Sequence, residues 1–254
     1  MGKRPKKKIV LFLVEGTSDR NALEIPFGQL LDDIDSDIIL EFAVVIQDSG
    51  AMGGDITSKY GIHPDNIARF IDELIVEPFL KCTGLYPKDL FEIVHFIDMD
   101  GAYIDESKVF ASGTSSDKPV YYDDHIVTGN PEYVRERNKR KADNINTLSA
   151  MSSVKIGSKT VKYSVYYFSS NLDHFLHGEA NLDEHEKTGR AMEFSAVHQK
   201  SEDFVAFFRD NPYVAADMTY EESWEYIKKG DNSLGRFSNV NLLIERLFAT
   251  KKND

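Results

Sequence analysis

Two stretches place carboxylates where an apolar run stops. In VEGTSDR, residues 14–20, Glu15 and Gly16 follow the run Ile9–Val14, and Asp19 comes four residues after Glu15. In VHFIDMDG, residues 94–101, Asp98 and Asp100 close a second run and Gly101 follows. Three or four carboxylates converging on one point repel one another. They must take up protons or recruit a cation. An all-oxygen donor set suits magnesium, manganese or calcium better than zinc. Gly16 and Gly101 permit tight turns directly after the acids. Asp19 has two readings. It is a further metal ligand, or an acid in the first turn of a helix, where the dipole alone favours it.

For these residues to meet, the runs must be neighbouring parallel strands that end on one sheet edge. The order of elements predicts this. Residues 9–14 read as a buried strand, 17–33 as a helix that Pro26 should kink or split, and 37–46 as a strand. The segment 47–61 reads as a glycine-rich loop, 65–81 as an amphipathic helix, 91–100 as a strand and 162–170 as a strand. Alternating strands and helices imply an α/β fold with a mostly parallel sheet flanked by helices. Asp98 and Asp100, two apart, point to one face if their strand stays extended. Residues from about 102 to 161 read as an insertion at the ligand edge, with a polar loop and then a charged helix from about 131 to 151. After 171 the segments read as helices. The division is an α/β domain over 1–175 and a helical extension over 176–254 packed on it.

The chain has 254 residues, with 42 acidic against 30 basic and a formal net charge of −12. That balance does not suit binding to nucleic acid over the whole surface. Two basic runs stand apart. One is KRPKKK at 3–8. The other is RERNKRK at 135–141, with Arg135, Arg137, Lys139, Arg140 and Lys141. Each is either solvated surface or a phosphate contact. The basic start is followed by an apolar stretch that breaks at Glu15, which makes a poor signal peptide, and no apolar run is long enough for a membrane span. The single cysteine, Cys82, excludes an internal disulfide, fits a reducing cytoplasm, and reads as a small buried hydrophobe. His174 and His177 share a helix face and are either a transition-metal pair or polar surface. His95 reads as packed inside its strand, the aromatics of YSVYYF as core, and Trp224 as a helix-packing anchor. Arg236 reads as either a phosphate contact or a surface ion pair.

LFLVEGTSD (11–19), GAMGGD (50–55) and HFIDMDG (95–101) together resemble a Toprim domain. That domain occurs in type IA topoisomerases, bacterial primases, small RNA-maturation ribonucleases and the overcoming-lysogenization-defect nucleases. The resemblance covers residues 8–101 and extends toward the strand at 162–170. It implies that Glu15 is a metal ligand or general acid/base, that Asp98 and Asp100 bind metal, and that Asp19 helps hold it. Gly54, or equally Gly53, matches a glycine near the family's active site. YFSSNLDHFLHG (167–178) resembles the helix start of RloB-like proteins of prokaryotic defence loci, which singles out Asp173. No primase-type zinc cysteines, topoisomerase tyrosine context or GxxxxGK[ST] loop is present, so any ATPase would be a separately encoded partner.

The activity implied is Mg²⁺- or Mn²⁺-dependent hydrolysis of DNA or RNA in phage defence or RNA processing, by a cytoplasmic protein for which a homo-oligomer is one open state. The basic residues 135–141 overhang the site as candidate phosphate contacts. Two other readings stand beside it. One is a non-catalytic nucleotide- or partner-binding module of the same fold, and the other a nucleotidyl- or phosphotransfer enzyme.

Overall fold

Strands covered on both faces need mostly apolar residues, and the run at 9–14, with that at 90–98 apart from Glu92, His95 and the terminal Asp98, supplies them. In the computed structural model, which describes residues 8–35, 37–44, 53–113 and 116–251, these runs are β1 (Lys8–Val14) and β3 (Leu90–Asp98). With β2 (Ile38–Val44), β7 (Ser153–Ile156) and β8 (Lys159–Phe168) they form a five-stranded sheet in the order β2-β1-β3-β8-β7. The first four strands in that order run parallel, and β7 returns antiparallel to β8 as a hairpin. The fold is therefore the mixed α/β class that the element order implied. The register pairs Val14 with Val44, Leu13 with His95 and Asp98 with Phe168, so the carboxyl ends of all four parallel strands share one edge.

Alternation along β1 sends side chains to two separate cores. Ile9, Leu11 and Leu13 pack against α2 (Ile67–Ile71), α3 (Glu77–Thr83), α4 (Pro131–Ala150) and α8 (Tyr220–Ile227). Val10, Phe12 and Val14 pack against α1 (Thr17–Ile34), α5 (Leu172–His177), α6 (Glu184–Val197), α7 (Ser201–Arg209) and α9 (Val240–Lys251). Phe12 sits at the centre of the second core, edge-to-face with Phe27, Phe42 and Phe96 at 5.0, 5.3 and 5.1 Å between ring centroids. The helices beyond residue 175 thus join α1 and α5 over one face of the sheet, while α8 packs on the other.

Several local expectations change. α1 runs unbroken through the buried Pro26. Burial of Leu23, Phe27, Leu30 and Leu31 outweighs the roughly 3 kcal/mol that an interior proline costs. The helix expected over 65–81 contains a wide π-turn, Asp72–Val76, between α2 and α3. Pro78 follows it, and a residue without an N–H cannot continue the α ladder. β3 ends at Asp98, not at Asp100. The insertion is not only a polar loop and a helix. It also carries a small sheet of β4 (Val109–Ala111), β5 (Val120–Tyr121) and β6 (Ile126–Thr128), ordered β4-β6-β5. β7 was absent from the sequence reading. Cys82 is exposed, contrary to the expectation of a buried hydrophobe. No helix among the described residues is long and apolar enough to cross a membrane. Residues 3–7 of the first basic run lie outside the described residues.

The loop between α8 and α9 ties the helical layer to the sheet. Asn239 is fully buried. Its Oδ1 accepts from the Tyr167 backbone N–H at 2.9 Å, and its Nδ2 donates to Ser223 Oγ at 3.0 Å. Asn239→Ala removes the acceptor from a buried N–H, which costs on the order of 1–3 kcal/mol. The urea midpoint should fall accordingly. Far-ultraviolet circular dichroism and near-ultraviolet signals should still report one coincident transition, because the sheet and the C-terminal helices share a core. Two separated transitions would show that the two parts unfold independently.

Candidate acidic active site

Each acid is positioned by the backbone at the carboxyl edge of the sheet. Glu15 directly follows β1. Its carbonyl accepts from Gly54 N–H at 2.8 Å, and its Oε1 accepts from Asp98 N–H at 3.1 Å. Gly53 lies against the same carbonyl at φ +115°, a conformation that side-chain-bearing residues rarely adopt. The glycine pair therefore brings the loop after β2 onto Glu15. Asp19 is the third residue of α1, and its Oδ2 accepts from Gly16 N–H at 2.8 Å. It serves as the capping acid of α1 and also lies half-buried beside the site.

Asp98 ends β3, and its Oδ1 accepts from Leu172 N–H at 3.0 Å, at the start of α5. Asp100 lies beyond the strand in the left-handed region, at φ +48°. The extended spacing that would have put both aspartates on one strand face is therefore broken. The two carboxylates reach different partners. Asp100 Oδ2 accepts from Lys141 Nζ at 2.5 Å. Gly101, also left-handed at φ +71°, leaves no room for a side chain. A Cβ there would stand 2.7 Å from Leu234 Cδ2 and 3.0 Å from Ile126 Cδ1.

Two residues are central to the site in ways that the sequence analysis does not give: Asp55 is not singled out there, and Lys141 is named only as a candidate phosphate contact. Asp55 follows Gly53 and Gly54 at the end of the loop after β2. Its Oδ1 accepts from Thr57 N–H at 2.7 Å and from the Thr57 hydroxyl. Glu15, Asp55 and Asp100 are the one group among the described residues whose ligand atoms have metal-binding spacing, all within 4.8 Å of one another. Lys141 had been placed only within the basic run. Its ammonium is completely buried among these acids, 2.5 Å from Asp100, 2.9 Å from Asp55 and 3.9 Å from Glu15.

The electrostatics follow from burial and from this unequal pairing. Burial drives the Glu15 carboxyl well above the usual carboxylate range, and Asp55 and Asp100 add to the rise while Lys141 opposes it. Asp98 is raised in the same way by burial and by the charges of Glu15, Asp19 and Asp100. Asp19 is pushed up to about 6, chiefly by burial. Asp55 moves the other way, to about 2, because Lys141 and the bonds from Thr57 outweigh its burial. Lys141 is held well above the usual lysine range, since its acidic neighbours outweigh its own desolvation.

The remaining candidates are placed as follows. Arg137 donates to the Asp100 carbonyl at 3.0 Å and the Tyr121 hydroxyl at 2.9 Å, bracing the turn that carries Asp100. Arg135 donates to the carbonyls of Glu106 and Val109, and Arg140 to that of Ser58. The run 135–141 is thus mostly engaged within the fold instead of forming a free basic stripe, and only Lys139 of the five is classed as exposed. Asp173 pairs with Lys187 at 3.5 Å, next to Asp19. His174 and His177 belong to no metal-spaced group among the described residues. His95 is buried, and its Nδ1 bonds the Tyr163 hydroxyl at 2.8 Å. Tyr163, Tyr166, Tyr167 and Trp224 are core residues, as the sequence suggested. Arg236 makes no ion pair among the described residues. It caps α5 by donating to Phe175 O at 2.8 and 3.0 Å.

No family model matches the chain, and no curated protein or solved structure is significantly similar to it.

Two predictions test the charge arrangement. Folded Asp19 keeps its proton up to about pH 6, whereas an unfolded aspartate loses it near the ordinary value of 3.8. Between those values the native state binds more protons, so stability falls as pH rises. Asp55 contributes the opposite dependence, with stability lost as pH falls from 3.8 toward about 2. In EDTA, urea titrations from pH 3 to 8 should show a falling limb between about 4 and 6, and Asp19→Asn should flatten it. Lys141→Met should destabilise the fold by about 3–5 kcal/mol at pH 8, because it leaves buried carboxylates without their counter-charge. That loss should shrink at pH 5, where the acids can take up protons instead. An equal loss at both pH values would mean that Lys141 acts through packing alone.

Proposed function

We propose that the protein is a divalent-metal-dependent nuclease that hydrolyses phosphodiester bonds of DNA or RNA at this acidic edge. The observation that carries the reading is the charge imbalance. One buried ammonium faces Glu15, Asp55 and Asp100, while Asp98 and Asp19 add their charge to the same group and make no ion pair among the described residues. Every donor is a carboxylate oxygen, which fits Mg²⁺ or Mn²⁺. Lys141 already neutralises much of Asp55 and Asp100, so the carboxylates of Glu15, Asp98 and Asp19 are those most in need of a cation, with Asp100 completing the set.

Bound there, a divalent ion supplies Lewis-acid stabilisation of the phosphate and lowers the pKa of water. The chain's own groups have separate tasks. Glu15, ionised once a cation offsets its burial, could accept a proton from the attacking water, and the burial that raises its pKa would make that carboxylate the stronger base. Lys141, held by the turn at Asp100, can stabilise charge developing on a non-bridging phosphate oxygen. Arg137 keeps that turn in place. The Toprim resemblance of 11–19, 50–55 and 95–101 supports the same chemistry. With it come cytoplasmic location, work in phage defence or RNA processing, a separately encoded ATPase as a possible partner, and self-association.

A second reading rests on Lys141 itself. An ammonium among three carboxylates is also what a purely structural ion network looks like, and a non-catalytic binding module would need nothing more. The two readings differ in their response to small changes at the acids. Labelled single- and double-stranded DNA and RNA should be cut with Mg²⁺ or Mn²⁺ and not in EDTA. Glu15→Gln and Asp98→Asn should each reduce cutting at least about 100-fold while circular dichroism and the gel-filtration profile stay unchanged. Absence of cutting on every substrate, or full activity in both variants, would sink the nuclease reading in favour of the structural one.

A further inference from the structure

The loop that carries Asp55 continues into an open cavity of about 460 Å³, lined by Tyr60, His63, Pro64, Glu136, Lys139 and Arg140 among others. Tyr60 is 89% exposed, the most of any large apolar or aromatic side chain described, although aromatic rings normally bury most of their surface. Its face is not empty. The Arg140 guanidinium lies 5.9 Å from the ring centroid and is fixed from behind by donating through Nε to Ser58 O at 2.7 Å. The loop itself is clamped to α4. Asn144, fully buried, donates to Thr57 O at 2.8 Å and to Ile62 O at 3.1 Å, on either side of Tyr60. An exposed ring on a clamped loop is a prepared surface.

The cavity also adjoins the acidic edge through two covalent paths. Arg140 and Lys141 are consecutive on α4, one turned to the cavity and the other buried in the acids. Asp55 and Tyr60 are five residue steps apart, so their Cα atoms are at most about 18 Å apart even if the loop were fully extended. A flat aromatic face, a guanidinium and an exposed lysine are the groups that hold unpaired bases and their phosphates, and stacking of this kind is sequence-tolerant. Glu136 and Asp143 on the same wall can accept from the exocyclic amines of bases.

We propose that the Tyr60–Arg140 cavity is a subsite for an unpaired nucleobase of the strand whose phosphate lies at the acidic edge, which makes single-stranded or locally unpaired nucleic acid the preferred substrate. This rests on the nuclease reading for its substrate, but its test measures binding and not cutting. Fluorescence anisotropy in Ca²⁺ would follow a labelled twelve-nucleotide single strand and the matching duplex, at one salt concentration, on the wild type, Tyr60→Ala and Tyr60→Phe.

Tyr60→Ala should weaken single-strand binding about 5- to 150-fold, the range expected for loss of one base–aromatic stack. Tyr60→Phe should stay within about twofold, and duplex binding should barely change. Equal single-strand affinity in wild type and Tyr60→Ala overturns the proposal. So does a wild type that binds no single strand, or an equal loss for the duplex. Selective loss in Tyr60→Ala in a protein that cuts nothing would keep the subsite and remove only the nuclease reading. Cutting that survives alongside unchanged binding by Tyr60→Ala would do the reverse.

Discussion

An ammonium with no exposed surface stays charged only if the acids around it repay the loss of water. Lys141 meets that condition with carboxylates drawn from three separated pieces of chain: Glu15 after β1, Asp55 after β2 and Asp100 after β3. None of these acids can sit where it does unless the other strands end at the same level. The central ion cluster and the parallel register are therefore one constraint seen from two sides. Lys141 adds a fourth piece, because α4 must lie across the strand ends to deliver it. The rest of the insertion, with Arg137 on the Asp100 carbonyl and Asn138 on the Gly101 carbonyl at 3.1 Å, holds that helix in place.

The same constraint explains the unusual backbone beyond β3. A strand continued through Asp100 would carry its carboxylate away from Lys141. Two successive left-handed residues, Asp100 and Gly101, reverse the chain instead. Strain at a residue with a side chain persists only when the surroundings over-determine it. Here Asp100 N–H donates to Ser170 O at 2.7 Å, its carboxylate accepts from Lys141, and Gly101 N–H donates to Ser233 O at 3.1 Å. The last of these contacts comes from the loop before α9. The segment beyond residue 175 thus shares in covering the sheet and, through the loop before α9, also sets the geometry of the acidic edge.

Much of the framework was legible because its signals are local. Ile9–Val14 and residues 90–98 are apolar at nearly every position, and Glu15 and Asp98 stand where those runs stop. Asp55 was harder to see. Its position depends on the turn made by Gly53 and Gly54, and an acid after two glycines looks like any polar loop until the loop is known to fold back onto Glu15. The burial of Lys141 is written in the phase of 135–141 and not in its charge. Val134, Asn138, Lys141, Ile145 and Leu148 repeat at four, three, four and three residues, which is the inward stripe of a helix. Polar residues on such a stripe, between apolar ones, are the mark of a buried polar site. β4, β5 and β6 span two or three residues each, too short for an alternating pattern to register.

The burial of Lys141 also bears on how a cation and this lysine could share the edge. Lys141 bonds Asp100 and Asp55 directly and lies 3.9 Å from Glu15, so its compensation is uneven: Asp55 is pulled down to about 2 while Glu15 and Asp98 are driven up. A site designed only to neutralise its acids would place the ammonium closer to the centre of the negative charge. Placing it to one side leaves Glu15 only at 3.9 Å from an ammonium, and Asp98 and Asp19 with none among the described residues, and carboxylates so weakly compensated resist ionisation. The asymmetry, more than the number of carboxylates, separates a chemical reading of this edge from a structural one.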